Sequence, residues 1–373
     1  MNEEYTSLGL MSGTSGDGVD ASIIQSNGNS KYEVIKDKYY EYDGQIYQNI
    51  HNLKEKINNL SDLKNFGKEI SDLERKITLF HAKVVKEIDG YKKIDIVGFH
   101  GQTIYHNPQE KISKQLGDGK LLSQLTKKNI VYNFRQNDIK NGGEGAPLTP
   151  IFHKLIATQY KLDLPTCILN IGGISNVTII GETNKTYGFT SRDIGPGNCL
   201  IDSWVRKNSK HKFDKDGFLA SKGINNNIIS EQAQELFSNR PNQKNLSFDV
   251  NDFDVSFARG LSLEDGAATL TDLTARIIGT ALFSLLSNVS NKFWKILVCG
   301  GGRKNKVLIE KIKENTLKNI LIQSIDDYGI NGDFVESQAF AFLAIRSMLK
   351  LPISFPDTTG CIKPCSGGEI IKN

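Results

Sequence analysis

The stretch from Ser12 to Asp20, Ser-Gly-Thr-Ser-Gly-Asp-Gly-Val-Asp, holds residue types that are well suited to phosphate chemistry. Its glycines allow close backbone approach to a ligand, and its hydroxyl and amide groups can cradle phosphate oxygens. Its two carboxylates, Asp17 and Asp20, would repel bare phosphate, so they fit beside Mg²⁺ or as groups that orient water. The stretch lacks the Gly-Lys-Ser/Thr ending of a P-loop, and alone it also fits an ordinary hairpin turn. We interpret it as a loop for ATP.

Short strands are predicted on both sides of this loop. Residues 5–10 and 19–25 read as the two strands of a hairpin whose turn is the glycine-rich loop. Residues 94–99 read as a buried strand that delivers His100-Gly101-Gln102-Thr103 at its carboxyl end, where open α/β sheets bind ligands. A single histidine at such a place also fits a purely structural role.

Two further glycine turns follow predicted strands. Residues 167–171 lead into Gly172-Gly173-Ile174-Ser175-Asn176 and a second strand at 177–180, which repeats the layout of the first hairpin. Residues 296–298 end in Cys299-Gly300-Gly301-Gly302-Arg303, ahead of a helical pattern from Asn305. Helix N-termini that follow glycine turns favour anions.

Helical spacing covers much of the remaining chain. It predicts helices within 44–90, one long buried helix over 266–286, and a helix opened by Glu336 that returns the chain to its first domain. Residues 206–252 are rich in Lys, Asn, Asp and Ser, which predicts loops with a short helix near 229–237. The mixture of strands and helices places the chain in the α/β class.

Bulk composition indicates a globular protein with two domains. A chain of 373 residues exceeds the usual size of one compact core, so a second domain and a cleft between the two are expected. Apolar residues make up 38% and charged residues 24%, and no apolar run approaches the roughly 18 residues of a membrane span. The first residues, Met-Asn-Glu-Glu-Tyr, lack the basic and apolar regions of a leader. We therefore expect a cytoplasmic protein without a membrane partner.

Charge and cysteine content argue against two other classes. The net charge is +4, but the lysines alternate with acidic residues instead of forming a stripe, so we expect no nucleic-acid partner. Of the five cysteines, only Cys361 and Cys365 are close in sequence, whereas a zinc site of four thiolates needs more than one such pair. We expect most cysteines to be reduced packing residues.

The order of these loops resembles the actin-like (ribonuclease H-like) ATPase superfamily, which includes hexokinase and the sugar kinases. The resemblance implies a two-domain α/β fold with an interdomain cleft. It also implies that the loops near Gly13 and Gly172 grip phosphates from opposite domains, and that the turn at 300–303 sits against adenosine.

Within that superfamily the chain closely resembles the bacterial anhydro-N-acetylmuramic acid kinases. Seven collinear blocks carry the resemblance: Ser12-Gly13-Thr14-Ser15-Gly16-Asp17-Gly18-Val19-Asp20, His100-Gly101-Gln102-Thr103, Phe134-Arg135-Gln136-Asn137-Asp138, Gly145-Ala146-Pro147-Leu148, Asn170-Ile171-Gly172-Gly173-Ile174-Ser175-Asn176, Asp193-Ile194-Gly195-Pro196-Gly197-Asn198 and Ala268-Thr269-Leu270-Thr271. Single blocks are weak evidence, whereas seven in the right order are strong.

The chain departs from the family pattern in three places. Ile194 stands where the family usually has Thr, and Glu144 stands where it commonly has Gln. A Lys-Ser-Thr-Gly-Arg element of many members is unrecognisable around 244–248, which puts contacts from that loop in doubt.

The resemblance implies a specific reaction. Such kinases open the 1,6-anhydro bridge of 1,6-anhydro-N-acetylmuramic acid with water and phosphorylate O6, giving N-acetylmuramate 6-phosphate and ADP, a step of peptidoglycan recycling. Asp193 would be the base that takes the proton of the attacking water. The sugar would be bound by five residues: Arg135, Glu336, His100, Gln102 and Thr103. Arg135 would pair with the lactyl carboxylate, although a surface ion pair with Asp138 is the alternative.

The cofactors implied are ATP and Mg²⁺. The residues expected to bind ATP are Gly13, Thr14, Ser15, Gly16, Asp17, Gly18, Val19, Asp20, Gly172, Gly173, Asn176, Gly300, Gly301 and Gly302. Asp17 and Asp20 are the candidates for Mg²⁺, which commonly keeps several waters. The expected first domain comprises residues 1–140 and 345–373, with the first phosphate loop and part of the sugar site. The second comprises residues 141–344, with the other two loops and Asp193.

Two other functions stay open at this point. The chain could phosphorylate another anhydrosugar such as levoglucosan, on which Arg135 would have no carboxylate to bind. It could also be a regulatory or chaperone-like ATP switch that moves its domains, although such a switch has no need for Asp193 and Glu336. The family also suggests a homodimer.

Overall fold

The computed structural model describes residues 3–88, 94–181, 185–239, 247–248, 250, 253–286 and 294–373. Contacts divide the chain into two α/β units. Unit 1 comprises Met1–Leu162, Asn184–Thr190 and Asp333–Asn373, and unit 2 comprises Asp163–Thr183 and Ser191–Gly332. The α/β class and the division into two units are therefore as predicted.

A mixed sheet of seven strands is the centre of unit 1. Its strands are β1 (Tyr5–Ser12), β2 (Gly18–Ser26), β3 (Tyr32–Glu41), β4 (Ile96–Asn107), β5 (Ile112–Leu116), β6 (Asn129–Tyr132) and β12 (Glu369–Ile371). Their order is β12-β6-β4-β1-β2-β3, and β5 pairs with β4. β1 runs parallel to β4 and antiparallel to β2, which makes β1 and β2 the predicted hairpin.

Helices cover both faces of this sheet. The helices of unit 1 are α1 (Gly44–Lys56), α2 (Leu60–Asn65), α3 (Gly67–Ile88), α4 (Gly119–Thr126), α5 (Gln136–Lys140), α6 (Pro150–Gln159), α11 (Val335–Met348) and α12 (Pro356–Thr359). Leu8 and Leu10 of β1 point into a core with α1 and α3, whereas Met11 belongs to a second core with α11. The alternation follows the two-residue period of a strand.

Two glycines allow α11 to lie directly on the sheet. A Cβ atom at Gly9 would be 1.9 Å from the carbonyl oxygen of Ser337, and one at Gly98 would be 2.3 Å from that of Phe340. Only a residue without a side chain permits such an approach. The helix predicted from Glu336 therefore returns to unit 1, as expected.

A five-stranded sheet in the order β11-β10-β7-β8-β9 is the centre of unit 2. Its strands are β7 (Thr166–Ile171), β8 (Ile174–Ile180), β9 (Phe189–Pro196), β10 (Trp294–Cys299) and β11 (Ile320–Ser324). Its helices are α7 (Cys199–Asn208), α8 (Asn227–Ser238), α9 (Leu263–Leu286) and α10 (Lys306–Glu314). Strand β9 crosses from unit 1 to unit 2 between Thr190 and Ser191.

The predicted long helix is α9. Its buried positions pack on β7 and β10 on one side and on α7 on the other. It is the one helix among the described residues that is long and apolar enough to cross a membrane by length and composition, and 67% of that apolar window is buried inside the protein. Core helices pass the same test, so this helix is weak evidence for a membrane span.

The structure corrects two strand ends. Strand β4 was expected to end at residue 99, but it continues to Asn107, because β5 pairs antiparallel with its second half. His100 therefore lies inside the strand and not at its carboxyl end. The turn between β7 and β8 is only Gly172-Gly173, because Ser175 and Asn176 already pair with Ile171 and Asn170.

The unit boundaries also differ from the expected ones. The expected first domain ended at residue 140, whereas unit 1 extends to Leu162 and so includes α6. It resumes at Asp333 instead of residue 345, because the whole of α11 packs on β1, β2 and β4. Tertiary packing, which local pattern does not reveal, decides both boundaries, because α6 contacts α11 and α11 lies on the sheet.

Candidate active site

The glycine-rich loop of unit 1 connects β1 to β2 and turns sharply at Gly16. Gly16 has a φ of +62°, a conformation that side chains disfavour, and its amide donates to the carbonyl of Gly13 at 3.1 Å. A Cβ there would lie 2.9 Å from Ile50 Cγ2 of α1. The loop is thus a tight turn held against a helix.

Gln102 of β4 holds this loop through two side-chain hydrogen bonds. Its fully buried amide accepts from Ser12 Oγ at 2.7 Å through Oε1 and donates to the carbonyl of Gly13 at 2.9 Å through Nε2. Tyr42 supports the same point, because its hydroxyl donates to Ser12 Oγ at 3.0 Å. Gln102 therefore shapes the glycine-rich loop, and its predicted contact with a sugar stays a prediction.

A lysine and a serine fix the tip of the loop. Lys54 of α1 donates from Nζ to the carbonyl of Thr14 at 2.8 Å, and Ser15 Oγ donates to Asp17 Oδ1 at 2.5 Å. Lys54 places a positive charge beside a loop that is expected to bind phosphate. The sequence pattern did not single out Lys54 or Tyr42, which lie outside the motif.

Asp20 lies among several other carboxylates of unit 1. Burial, followed by the charges of Asp17, Glu336, Asp333 and Asp37, raises the pKa of Asp20 to about 8. Glu336 occupies the first turn of α11, and Asp37 is on β3. These acidic side chains come from three separate stretches of the chain, residues 17–20, Asp37 and residues 333–336, and the structure brings them to one place.

Arg135 and His100 form a fixed pair in unit 1. Arg135 donates from Nη1 to the carbonyl of Gly145 at 2.8 Å and contacts His100 Nε2 from Nη2 at 2.9 Å. The other imidazole nitrogen, Nδ1, is 2.7 Å from the carbonyl of Gly101. Since a carbonyl only accepts, we assign the hydrogen to Nδ1 and the acceptor role to Nε2. Burial and the charge of Arg135 lower the pKa of His100 well below its usual value, so the ring is neutral.

Asp138 is buried and supports the loop on which Arg135 rests. Its carboxylate accepts from the amide of Gly145 at 2.7 Å and from Thr359 Oγ1 at 2.7 Å. Asp138 is only 1% exposed, so the surface ion pair considered for Arg135 does not describe it. The structure thus connects the Phe134–Asp138 and Gly145–Leu148 blocks, which the sequence shows only as neighbours.

The cysteines are free and buried, as expected for packing residues. Cys361 and Cys365 lie beside Asp138, and one donor atom from each of the three lies within 4.8 Å of the others. Three donors are one fewer than a structural zinc site uses.

Thr103, the remaining predicted sugar ligand, is on β4, where Gln115 Nε2 donates to its Oγ1 at 3.2 Å.

In unit 2 the Gly172-Gly173 turn is joined to the start of α7. The amides of Gly197 and Cys199 donate to the carbonyl of Gly173 at 2.9 and 3.2 Å, and that of Asn198 donates to the carbonyl of Gly172 at 2.8 Å. A Cβ at Gly197 would lie 2.2 Å from the Gly172 oxygen. The predicted second phosphate loop therefore sits against the turn that follows Asp193.

Asp193 is on β9 and is 6% exposed. Its Oδ2 accepts from the backbone amide of Phe248 at 2.9 Å. Phe248 lies at the end of the segment, residues 244–248, where the family's Lys-Ser-Thr-Gly-Arg element is unrecognisable, and residues 244–246 of that segment lie outside the described residues. A backbone amide needs no particular side chain, so no sequence signal could have indicated this contact.

The third glycine turn lies beside the second. Gly300 follows β10, whose Cys299 pairs with Asn170 of β7, and a Cβ at Gly300 would lie 2.4 Å from Asn170 Oδ1. Arg303 of this turn donates to both carboxylate oxygens of Asp326, at 2.6 and 3.0 Å, and so fixes the turn. The structure thus gathers both predicted nucleotide turns of unit 2 at one end of parallel strands. Asn176, the remaining candidate of unit 2, pairs with Asn170 from β8.

The comparison with known families decides the classification. A family model described as anhydro-N-acetylmuramic acid kinase matches residues 5–373. The chain belongs to the anhydro-N-acetylmuramic acid kinase family. It is similar to the anhydro-N-acetylmuramic acid kinase of Pelagibacter ubique, with 57% identity over 100% of both chains. It is also 34% identical to that of Agrobacterium fabrum, again over 100% of both chains. The predicted family and the kinase class are confirmed.

Solved structures show only a distant likeness to this member of the anhydro-N-acetylmuramic acid kinase family. A ROK family glucokinase from Streptomyces griseus, in complex with glucose and AMPPNP, is 13% identical with a TM-score of 0.42, over 91% of this chain and 99% of that one. A hexokinase from Schistosoma mansoni is 10% identical with a TM-score of 0.36, over 91% and 85%. Likenesses at this level carry no argument about function.

Proposed function

We propose that the chain uses ATP to hydrolyse the 1,6-anhydro bridge of 1,6-anhydro-N-acetylmuramic acid and to phosphorylate O6. The products are N-acetylmuramate 6-phosphate and ADP, which places the reaction in peptidoglycan recycling. The observation that carries this proposal is the family match over residues 5–373. The arrangement of groups within each unit supports the assignment of individual roles.

Asp193 is proposed as the base for the attacking water. Water is a poor nucleophile, and a positioned carboxylate that accepts its proton is a usual solution. The hydrogen bond from Phe248 to Oδ2 orients the carboxylate. Asp193 thus combines burial with a fixed orientation.

Arg135 is proposed to bind the lactyl carboxylate of the sugar. Its guanidinium plane is fixed at two nitrogens, by Gly145 and by His100. A neutral His100 accepts a hydrogen bond from Arg135 without competing for an anionic ligand. Glu336 and Thr103 are proposed to contact other parts of the same sugar.

The first loop is proposed to hold the terminal phosphates, with the turns at Gly172-Gly173 and Gly300–Gly302 binding the rest of ATP. The carboxylates around Asp20 fit Mg²⁺, which prefers oxygen ligands, and burial together with these neighbouring negative charges raises the pKa of Asp20. Asp17 and Asp20 would hold the ion. When bound, Mg²⁺ neutralises charge on the phosphates.

The first experiment measures ADP release by the purified protein with Mg-ATP and one of three additions: 1,6-anhydro-N-acetylmuramic acid, levoglucosan or no sugar. We expect stimulation by the muramic sugar alone. Stimulation by levoglucosan would identify a different anhydrosugar kinase. Slow ATP hydrolysis that no sugar changes would support an ATP switch and contradict the proposal.

The Asp193→Asn variant tests the assignment of the base. An amide can still accept the Phe248 hydrogen bond but cannot take a proton, so turnover should fall on the order of 10²–10⁴-fold while the KM for ATP stays within about threefold. Asp163→Asn is the matched control, because that carboxylate is 91% exposed and pairs with Lys295 in the same unit. Near-normal turnover of Asp193→Asn would refute the role.

We also infer a cytoplasmic homodimer, with no nucleic-acid or membrane partner, from the family resemblance and from the composition.

A further inference from the structure

Unit 1 contains a polar network to which none of the roles proposed above, in binding ATP, Mg²⁺ or the sugar, has been assigned. Its centre is the carboxylate of Asp37 on β3, and its other members are Ser22 on β2 with Ser337 and Gln338 on α11. Ser22 and Ser337 are fully buried, and Gln338 is 1% exposed. Buried polar groups are costly unless they are paired, so such a network is kept in one arrangement.

Each oxygen of Asp37 accepts one hydrogen bond. Ser22 Oγ donates to Oδ1 at 2.6 Å, across the β2–β3 register in which the two residues face each other. Gln338 Nε2 donates to Oδ2 at 3.0 Å. Hydrogen bonds to a charged acceptor are about twice as strong as neutral ones, so Asp37 connects the sheet edge to α11.

The second link to the helix passes through Ser22. Ser22 Oγ and Ser337 Oγ are 2.6 Å apart. Ser22 has one hydroxyl hydrogen and gives it to Asp37, so Ser337 is the donor in this contact and shares its hydrogen with the carbonyl of Phe334, 3.0 Å away. Asp37 therefore contacts Gln338 in the first turn of α11 directly, and it is linked to the preceding residue, Ser337, through Ser22.

Glu336 immediately precedes these two residues. The turn that carries it is held on one side by the approach of Ser337 to Gly9 and on the other by the contacts of Asp37. Small errors in the position of a binding group reduce its effect strongly. We infer that Asp37 is a positioning residue for the sugar site and acts through the α11 turn that presents Glu336. The inference rests on the proposed role of Glu336.

Steady-state kinetics of Asp37→Ala test this inference. We expect the KM for 1,6-anhydro-N-acetylmuramic acid to rise about 10-fold or more, while the KM for ATP stays within about twofold. A merely structural role would change both KM values and the thermal midpoint together. Glu33→Gln is the matched control, because it neutralises an exposed acid on the same strand, and it should leave both KM values unchanged.

A double-mutant cycle with Glu336→Ala shows whether Asp37 acts through Glu336. If it does, adding Asp37→Ala to Glu336→Ala should raise the sugar KM little further, because the group being positioned is already absent. Additive losses would overturn the inference. If Glu336→Ala alone leaves the sugar KM unchanged, the proposed role of Glu336 fails, and the positioning role fails with it.

Ser22→Ala separates positioning from a direct effect of charge. This variant keeps the Asp37 carboxylate but removes its link to Ser337, and it should also raise the sugar KM severalfold. If Ser22→Ala behaves as wild type while Asp37→Asn matches Asp37→Ala, the effect is electrostatic and the positioning role is refuted. Because Ser22→Ala removes only one hydroxyl, it also serves if Asp37→Ala does not fold.

Discussion

Asp20 is proposed to bind Mg²⁺ as a carboxylate, but burial and neighbouring charges disfavour its ionised form in the folded chain. Its pKa of about 8 in the folded chain compares with about 3.9 in an unfolded one. Between these values the folded state binds a proton that the unfolded state does not, so stability falls as the pH rises from about 4 to about 8. Above pH 8 the carboxylate is charged in both states, and the folded state bears the full cost.

Asp20→Asn should therefore stabilise the protein at high pH while it abolishes activity. In the absence of Mg²⁺ we expect a gain of about 1–3 kcal/mol in the free energy of unfolding at pH 8.5, and little change near pH 4. Thermal or urea unfolding at both pH values measures this. Asp72→Asn, which neutralises an exposed acid on α3, is the control. Equal stabilities of wild type and Asp20→Asn at pH 8.5 would contradict the assignment.

The contribution of His100, the partner of Arg135, to stability changes with pH in the opposite direction to that of Asp20. Burial and Arg135 lower the pKa of His100 in the folded state. Between that pKa and the ordinary value near 6.5 the unfolded state binds more protons, so the contribution of His100 to stability is lost as the pH falls through this range. Neutral His100 is thus coupled to the orientation of Arg135, and both depend on the same contact.

At the scale of elements, the contact of α11 with the sheet organises unit 1. The helix packs on β1, β2 and β4, and it places Glu336 near Asp20. Gly9 and Gly98 permit the close approach, and Asp37 holds the first turn. The position of α11 on the sheet thereby sets the distance between the predicted metal ligand Asp20 and the predicted sugar ligand Glu336.

Gly9→Ala tests this docking. The new methyl group would meet backbone atoms of Ser337 and Ala341, which cannot move as a flexible side chain can, so we expect a loss of about 2–4 kcal/mol in the free energy of unfolding. Urea unfolding midpoints measure it. Gly44→Ala is the control, because the space around this first residue of α1 is open and alanine favours helix. Wild-type stability of Gly9→Ala would show that α11 docks differently.

At the scale of the whole molecule, each unit has a sheet and its own cores. The first glycine-rich loop, Arg135 and Glu336 belong to unit 1, whereas Asp193 and the other two glycine turns belong to unit 2. The roles proposed above are therefore divided between residues of both units.

The proposed homodimer is a prediction at this same scale. Light scattering coupled to size-exclusion chromatography, run at several protein concentrations, measures the mass in solution. We expect twice the mass of one chain throughout. A mass equal to one chain at all concentrations would refute the dimer.

Local pattern was sufficient for the elements that carry the loops. The β1–β2 hairpin, the β7–β8 hairpin, α9 and α11 were predicted within a few residues, because their hydrophobic periods and glycine turns are written in consecutive positions. The second half of β4 was missed, since it depends on pairing with β5. Boundaries of this kind are decided by a partner strand and not by the strand itself.

The amino-acid sequence by itself determined the family, the α/β class and the residue types of the candidate site, because these depend on motifs and their order. Only the tertiary structure decided that Asp37 contacts the first turn of α11, which carries Glu336, and that the Phe248 amide orients Asp193. It also decided that burial and neighbouring carboxylates raise the pKa of Asp20. The physical reason is that hydrogen bonds and electrostatic interactions depend on distance in space. The groups that set these three properties come from distant parts of the chain.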